Sequence, residues 1–156
     1  MSNAQADGLR IDVLGSQEKH RTFLMLKPAT IKPKHVDRLA EGMLLGSLDP
    51  LHLRIVREGH ILARARLGRI GSREAIHIVS TDPEPFPTPA KPKHRILEVR
   101  LKLITEGNFD VGSVIEYDEA LSRDMLVLID GQPYAMAEMV EYDNEPMVRI
   151  TRMLHG

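Results

Sequence analysis

The seven histidines are the residues with the widest chemical range in this chain, because an imidazole can bind a metal ion or carry a proton near neutral pH. Zinc sites and metallopeptidase motifs usually place two histidines a few residues apart, as in His-x-x-x-His or His-Glu-x-x-His. No such spacing occurs here. The histidines are scattered over positions 20, 35, 52, 60, 77, 94 and 155. We therefore predict surface or turn histidines and no metal site.

Motifs for covalent or phosphate chemistry do not occur in the sequence. There is no Gly-x-Ser-x-Gly elbow, no P-loop and no Gly-x-Gly-x-x-Gly turn. Glu116, Asp118 and Glu119 lie near the end of a predicted strand, where a solvated sheet edge explains them better than acid-base catalysis. We predict a protein that is not an enzyme and that needs no cofactor.

Arginines are concentrated in "LHLRIVREGHILARARLGRIGSR", residues 51 to 73. Arg54, Arg57, Arg64, Arg66, Arg69 and Arg73 could contact phosphates, which makes a small nucleic-acid-binding β-barrel the alternative function. Against it, 21 Lys and Arg are balanced by 22 Asp and Glu, and no aromatic residues alternate with these arginines for base stacking. Alternatively, Arg64 and Arg66 form a solvated face or a patch that meets an acidic partner. We expect no nucleic-acid partner.

Composition restricts the fold and the compartment. The 156 residues suffice for one ordinary domain or two very small ones, and with 42% hydrophobic but only 4% aromatic residues any core must be aliphatic. Without Cys there are no disulfides or thiolate metal sites, which is compatible with a reducing compartment. No apolar stretch approaches the roughly 18 to 20 residues that span a bilayer. We expect a cytoplasmic protein that does not insert directly into a membrane.

A proline-rich stretch, "STDPEPFPTPAKPKH" at 80 to 94, marks the clearest boundary, since alternating prolines favour an extended spacer. We predict a loose N-terminal tail or partner-binding arm at 1–19, a first unit at 20–80, a linker at 81–93 and a second unit at 94–154. The chain is compatible with a fragment of a longer protein or with the product of a split gene.

Both units are predicted to be rich in β-structure. In "ILEVRLKLI", at 96 to 104, Leu97, Val99, Leu101 and Leu103 share one face of a half-buried strand. Four more short strands follow with turn signals between them, in "GSVIEY", "MLVLID", "PYAMAEMVE" and "PMVRITR". The first unit adds one helical turn, "KHVDRLAEG", closed by Gly42.

An internal repeat relates the two units. A shift of 72 aligns residues 53–79 with 125–151 without a gap and preserves the order of strand, acidic-Gly turn, Ala-x-Ala strand, polar turn and final strand. Gly42 and Gly112 also correspond if the intervening loop differs by two residues. The alignment has four identities, Gly59/Gly131, Ala63/Ala135, Ala65/Ala137 and Ile78/Ile150.

The repeat predicts that the units pack on each other or exchange strands, because an isolated segment of about 60 residues buries too little surface to be more than marginally stable. The core face is predicted to hold Ile61, Ala63, Ala65 and Leu67, and Pro133, Ala135, Ala137 and Met139. We assign a pairing role to Gly59, Ala63, Ala65, Gly131, Ala135 and Ala137, because small side chains let another backbone approach. Alternatively, the alanines fill gaps beneath larger neighbours within one unit.

The second unit, in "GSVIEYDEALSRDMLVLIDGQPYAMAEMVEYDNEPMVRITRML", resembles the surface-presentation-of-antigens (SPOA) domain of the flagellar switch proteins FliN and FliM and of type III secretion Q proteins of the YscQ, SpaO and HrcQ type. The residues that carry the resemblance are Gly112, Gly131, Ala135, Glu138, Val140, Arg149, Ile150 and Thr151. The first unit diverges, with Arg66, His77 and Val79 at the positions of Glu138, Arg149 and Thr151.

The resemblance implies an all-β fold in which two intertwined SPOA units form a pseudo-dimer, with two units in one chain favouring a secretion Q protein. It also implies a non-enzymatic scaffold in a cytoplasmic ring or sorting platform, bound to other ring components and to a stator-like protein of the FliH/SctL type that tethers the export ATPase. Self-association is a further expectation.

A face on the second unit is the candidate partner-binding surface. Tyr134, Met136 and Val140 are predicted to lie opposite the alanines with Glu138 among them, which would suit an amphipathic helix. The alternative is that another strand of the same domain covers this face.

Overall fold

The computed structural model describes residues 22–47, 49, 51–70, 73–103, 109–116 and 123–154. This part of the chain contains one short helix, α1 (Pro33–Val36), and is otherwise dominated by β-strands. The strands are β1 (Thr22–Met25), β2 (Ala29–Ile31), β3 (Leu44–Ser47), β4 (Leu53–Arg57), β5 (His60–Ile70), β6 (Arg73–Ser80), β7 (Arg95–Leu103), β8 (Val114–Glu116), β9 (Met125–Ile129), β10 (Gln132–Tyr142) and β11 (Glu145–Met153). The predicted all-β class is confirmed. The predicted tail at 1–19 lies outside the described residues.

The alternation read in the second unit is confirmed by β7. Val99, Leu101 and Leu103 are buried in the core and Leu97 packs against it, as the period of two requires. The four further strands predicted in this unit correspond to β8, β9, β10 and β11.

The predicted helical turn is shorter and begins earlier than expected. α1 starts at Pro33, whose fixed φ suits the first helical position, and it ends at Val36, which is buried. Gly42 does not end this helix. It has φ +89°, and its N–H donates to the carbonyl of Ile150, 2.8 Å away, in the other unit.

The strands described above form one antiparallel sheet. Its strand order is symmetric, because each strand in that order has an equivalent strand at the same distance from the opposite end of the sheet. The order is β3-β11-β10-β9-β7-β1-β4-β5-β6-β8, with β2 paired to β7 beside this path. Equivalent strands are β1 and β7, β3 and β8, β4 and β9, β5 and β10, and β6 and β11. We call 22–80 the first repeat and 95–154 the second repeat. The repeats are therefore related by a pseudo-two-fold axis between β1 and β7.

Strand exchange joins the repeats at both ends of the sheet. β3 of the first repeat pairs with β11 of the second, and β8 of the second repeat pairs with β6 of the first. Matched hydrogen bonds support both crossings, because Gly42 N donates to Ile150 O and Gly112 N donates to Ile78 O. Gly42 and Gly112 have the same φ of +89°, as the internal repeat requires.

The pseudo-two-fold axis passes between Met25 and Arg100, which lie directly opposite each other in the β1–β7 pair. Leu24 lies opposite Ile55. Val99 lies opposite Val127, which is the counterpart of Ile55 in the second repeat. Leu24 and Val99 are therefore equivalent and 75 residues apart. The same separation relates Met25 to Arg100.

The repeat extends to the irregularities of the strands. The β4–β5 and β9–β10 turns both use an acidic residue and a glycine with positive φ, Glu58-Gly59 (50° and 82°) and Asp130-Gly131 (49° and 82°). The pairing of β4 with β5 skips Leu62, and the pairing of β9 with β10 skips its counterpart Tyr134. Bulges thus occur at equivalent positions in both repeats.

A single aliphatic core spans both repeats. It includes Leu24, Ile55 and Ile76 from the first and Leu101, Val127 and Ile150 from the second. We call the side of the sheet that faces these residues the core face and the opposite side the outer face. Sharing one core removes from water the surface that each small repeat alone would leave exposed.

Asp130 connects the β9–β10 turn to the start of β7. Its Oδ1 accepts a hydrogen bond from Ile96 N at 2.9 Å, and its Oδ2 accepts one from Arg95 Nε at 2.8 Å. The bond from the Ile96 N–H, followed by the interaction with Arg95, lowers the pKa of Asp130 below its ordinary value.

We expect Asp130→Asn to destabilise the protein slightly at neutral pH. Asn tolerates the positive φ of this site but loses the ion pair with Arg95. Because the folded pKa of Asp130 lies below the unfolded value of about 3.9, its contribution is complete above the unfolded value and is lost as pH falls through the folded one. Denaturant titrations of both proteins should therefore give unfolding free energies that converge with acidification. A pH-independent difference would contradict this assignment.

Candidate partner-binding surface

The four alanines singled out from the repeat lie on the core face. Their exposed fractions are 0% for Ala63, 1% for Ala65, 0% for Ala135 and 0% for Ala137, and all four belong to the shared core. Ala137 lies opposite Met125 on one side and Ile150 on the other, both fully buried. The strand pairs that join the repeats are formed elsewhere, by β1–β7, β2–β7, β3–β11 and β6–β8. The pairing role of the alanines is a proposal about the shared core, and their setting between large neighbours also suits gap filling.

Gly59 and Gly131 lie at the strand turns and not in the core. A Cβ at either position would meet nothing within 4 Å, so the constraint is backbone conformation, with φ +82° at each. Their role is to close equivalent hairpins, which sets the register of β5 and β10.

Met136, Glu138 and Val140 are half-buried and alternate along β10 with residues of the core face. They therefore lie together on the outer face of the second repeat. Met136 is paired across the strands with Leu126, and Leu126 with Arg100, which makes a continuous row on this face. We call Met136, Glu138 and Val140 the β10 outer patch.

Tyr134 is placed differently from the predicted alternation. It is the residue skipped by the bulge, and its ring packs against the core, with its hydroxyl 3.3 Å from the carbonyl oxygen of Val36 in α1. A bulge inserts one extra residue, so the two-residue period predicted from the sequence fails there. Leu62, the counterpart of Tyr134, contacts the core for the same reason. Ile61 and Pro133, which were predicted on the core face, are not part of the core cluster.

An ion pair lies within the β10 outer patch. Arg149 Nε donates to Glu138 Oε2 at 3.0 Å, and the Glu138 side chain keeps only 20% of its surface exposed. The equivalent positions of the first repeat carry Arg66 and His77, whose ring packs over Gly68. The equivalent positions therefore differ in charge, because Glu138 is a carboxylate and its counterpart Arg66 is a cation.

Residues 81–93, predicted as a linker, form an extended segment that we call the strap, and it lies across the outer face of the first repeat. Phe86 is 9% exposed, and the Arg54 guanidinium carbon lies 4.2 Å from the centre of its ring. Arg54 Nε also donates to Glu84 O at 2.9 Å, and Arg64 Nη1 lies 4.0 Å from Glu84 Oε1. Burial of Arg54 lowers the pKa of its guanidinium. Cation–π contact and hydrogen bonding thus hold the strap in place.

Several of the arginines that suggested nucleic-acid binding contact the protein itself. Arg54 and Arg64 contact the strap, and Arg57 Nε donates to Thr22 Oγ1 at 2.8 Å while lying 5.2 Å from the Phe109 ring centre. Arg66 is exposed, and the side chains of Arg69 and Arg73 lie outside the described part of the structure. The nucleic-acid alternative gains no support from this arrangement.

The partnership of Arg54 with Phe86 was not predicted. One signal was available in the sequence, because Phe86 is an isolated aromatic residue in a segment otherwise made of proline, polar and charged residues. A large apolar side chain in such a segment is better placed against the domain than in water.

Within the described ranges, no group of three or more His, Asp or Glu side chains is arranged to hold a metal ion. In the same ranges, no helix is long and apolar enough to cross a membrane.

Comparison with known proteins assigns the second repeat. No curated protein sequence matches the chain at a significant level. Residues 96–155 match the family model described as "Type III flagellar switch regulator (C-ring) FliN C-term". This range begins within β7 and includes β8 to β11, the segment in which the sequence resembled an SPOA domain, and the match supports a switch or scaffold role in a flagellar or type III secretion system. Residues 96–155 are therefore a FliN C-terminal domain of the SPOA type.

Proposed function

We propose that this chain is a non-enzymatic scaffold of the cytoplasmic ring or sorting platform of a type III secretion or flagellar export apparatus. The observation that carries the proposal is the FliN C-terminal domain at residues 96–155, whose strands interleave with those of a second, equivalent repeat in the same chain. Two strand-exchanged repeats make a rigid block with two related outer faces, which suits a building unit of a ring.

The tandem arrangement favours a secretion Q-type protein of the YscQ, SpaO or HrcQ kind over FliN itself. In this role the chain is cytoplasmic and peripheral to the inner-membrane export apparatus. It contacts other ring components, and self-association in the ring is part of the proposal.

The proposed partner is a stator-like protein of the FliH/SctL type that tethers the export ATPase. Its docking site is the β10 outer patch, Met136, Glu138 and Val140. Two half-buried apolar side chains beside a carboxylate suit the apolar face of an amphipathic helix that carries a basic residue, and Met adapts to irregular surfaces. Tyr134, proposed from the sequence as a fourth contact, is left out because its ring packs against the core.

We expect Met136→Glu to weaken stator binding by at least about ten-fold while the fold is retained, since a desolvated carboxylate replaces an apolar contact at the patch. Arg64 is the counterpart of Met136 in the first repeat, which makes Arg64→Glu the matched control. Calorimetric titration with a recombinant stator subunit of the FliH/SctL type from the same organism would measure both affinities.

Equal affinities of the two variants would remove the β10 outer patch from the proposal. If the unaltered chain does not bind the stator subunit, the stator is not its partner. Loss of the far-ultraviolet β signal in Met136→Glu would assign this face to the packing of the domain.

A further inference from the structure

Among the described residues, the strap lies across the outer face of the first repeat, and the pseudo-two-fold axis relates it to a second segment of the chain. The strap immediately precedes β7, a strand of the second repeat, yet it crosses the outer face of the first repeat at Arg54 and Arg64. The pseudo-two-fold axis relates β7 to β1. It also relates Arg54 to Leu126 and Arg64 to Met136. The counterpart of the strap is then the segment that precedes β1, and the face that it would cover is that of the second repeat.

We propose that residues 7–19 bind in cis across the outer face of the second repeat, with Leu9 against Met136 and Ile11 against Leu126. Equivalent positions of β1 and β7 are 75 residues apart. Extending this separation to the segments before the two strands makes Leu9 the counterpart of Glu84 and Ile11 the counterpart of Phe86. The chain length is therefore sufficient, because the tail residues lie as far before β1 as the strap residues lie before β7.

The contacts change together between the two faces. In the first repeat, the Phe86 ring lies on the Arg54 guanidinium, and the Glu84 carboxylate faces Arg64. In the second repeat, Arg54 is replaced by Leu126 and Arg64 by Met136, while in the tail Phe86 is replaced by Ile11 and Glu84 by Leu9. A cation–π pair and an ion pair thus both become pairs of apolar side chains. Leu126 is 8% exposed and Met136 is half-buried, so an apolar segment suits this outer face better than a charged one.

The sequence before the strands carries one further trace of the repeat. Asp7 is the counterpart of Asp82, whose Oδ1 accepts a hydrogen bond from Glu84 N at 3.0 Å and so shapes the strap. At the separation of 75, none of the prolines of the strap has a proline counterpart in the tail.

Cross-linking between introduced cysteines tests this placement directly, because the natural chain has none. The test pair is Leu9→Cys with Met136→Cys, treated with a short bismaleimide in the full chain. The matched negative control is Leu9→Cys with Arg64→Cys, which moves the second thiol to the equivalent site of the other repeat. Glu84→Cys with Arg64→Cys is the positive control, since these side chains face each other in the structure.

We expect intramolecular cross-linking of the 9/136 pair at a rate close to that of 84/64 and at least about ten-fold above that of 9/64, because docking raises the effective concentration of one thiol beside the other. Equal rates for 9/136 and 9/64 would overturn the proposal. A product of twice the chain mass would overturn it as well, since the tail would then bind a second copy.

Docking of the tail also affects the proposed stator site, because both involve Met136. Deleting residues 1–19 should increase the rate at which Met136→Cys reacts with a maleimide several-fold and leave the reaction of Arg64→Cys unchanged. An unchanged rate at position 136 would contradict the proposal.

The same deletion should tighten stator binding if the proposed function also holds. The cross-linking and labelling experiments involve no stator, so failure of stator binding and failure of tail docking are distinguishable.

Discussion

Replacing Ala137 by isoleucine is expected to destabilise the whole protein by about 1–3 kcal/mol or more, the usual cost of inserting methylene groups into a well-packed core. Ala137 has no exposed surface and lies between the fully buried Met125 and Ile150 on the neighbouring strands. The larger side chain can fit only if β10 moves away from the shared core. Ala65, its counterpart in the first repeat, should respond in the same way.

Guanidinium denaturation followed by circular dichroism would measure the effect. Ala29→Ile is the matched control, because Ala29 lies in β2 but is exposed, and exposed substitutions usually change stability by less than about 0.5 kcal/mol. If the alanines hold the repeats together through one core, both repeats should unfold in a single transition in every variant. An Ala137→Ile protein as stable as the unaltered chain would argue against this role, and separate transitions would argue against one shared core.

Local sequence signals were sufficient to predict the elements and their repetition. The alternation in β7 and the acidic-Gly turns before β5 and β10 are physical constraints that each act within about ten residues. The gapless alignment of 53–79 with 125–151 then related the two repeats, and the equivalent bulges at Leu62 and Tyr134 show that the relation holds in detail. The all-β class followed from these features alone.

The features that the sequence did not reveal depend on pairing between distant segments. No residue type in "QPYAMAEMV" marks the bulge that turns Tyr134 toward the core, because a bulge is defined by the partner strand. Strand exchange was one of two expectations, but the choice of β3 and β8 as the exchanged strands needed the three-dimensional register. The contact of Arg54 with Phe86 likewise joins residues whose proximity depends on the path of the strap.

The palindromic strand order leads to a prediction for the second repeat alone. A fragment comprising residues 94–156 lacks β1, the partner of β7, and β3, the partner of β11, and it leaves β8 without β6. Two fragments can restore all three pairings, with β7 against β7 of the other copy and each β8 against the other copy's β11. We expect a folded dimer, with a mass by light scattering of twice that of the fragment. The intact chain, measured at the same concentration, should contain its own pairings and give 17.6 kDa.

A residue at the pseudo-two-fold axis makes this prediction sharper. In the intact chain Arg100 lies opposite Met25, and its guanidinium carbon lies 4.4 Å from the Phe23 ring centre. In the fragment dimer Arg100 would lie opposite Arg100 of the other copy, and the Phe23 ring would be replaced by its counterpart Glu98, which already pairs with Arg100 within β7. Like charges directly opposite in an antiparallel pair are unfavourable by roughly 0.2–1 kcal/mol. The asymmetry at the axis therefore favours pairing within one chain over pairing between second repeats.

Arg100→Met, which copies the residue found at the equivalent position of the first repeat, should strengthen the fragment dimer up to several-fold, and more strongly at low salt than at high salt. Sedimentation of both fragments over a range of concentrations would give the dissociation constants. Lys102→Met removes a cation from the same strand but from a position beside the axis, and it should have the smaller effect. A folded monomeric fragment would show that strand exchange is dispensable for the second repeat. A dimer that Arg100→Met does not strengthen would mean that the two copies do not meet at β7.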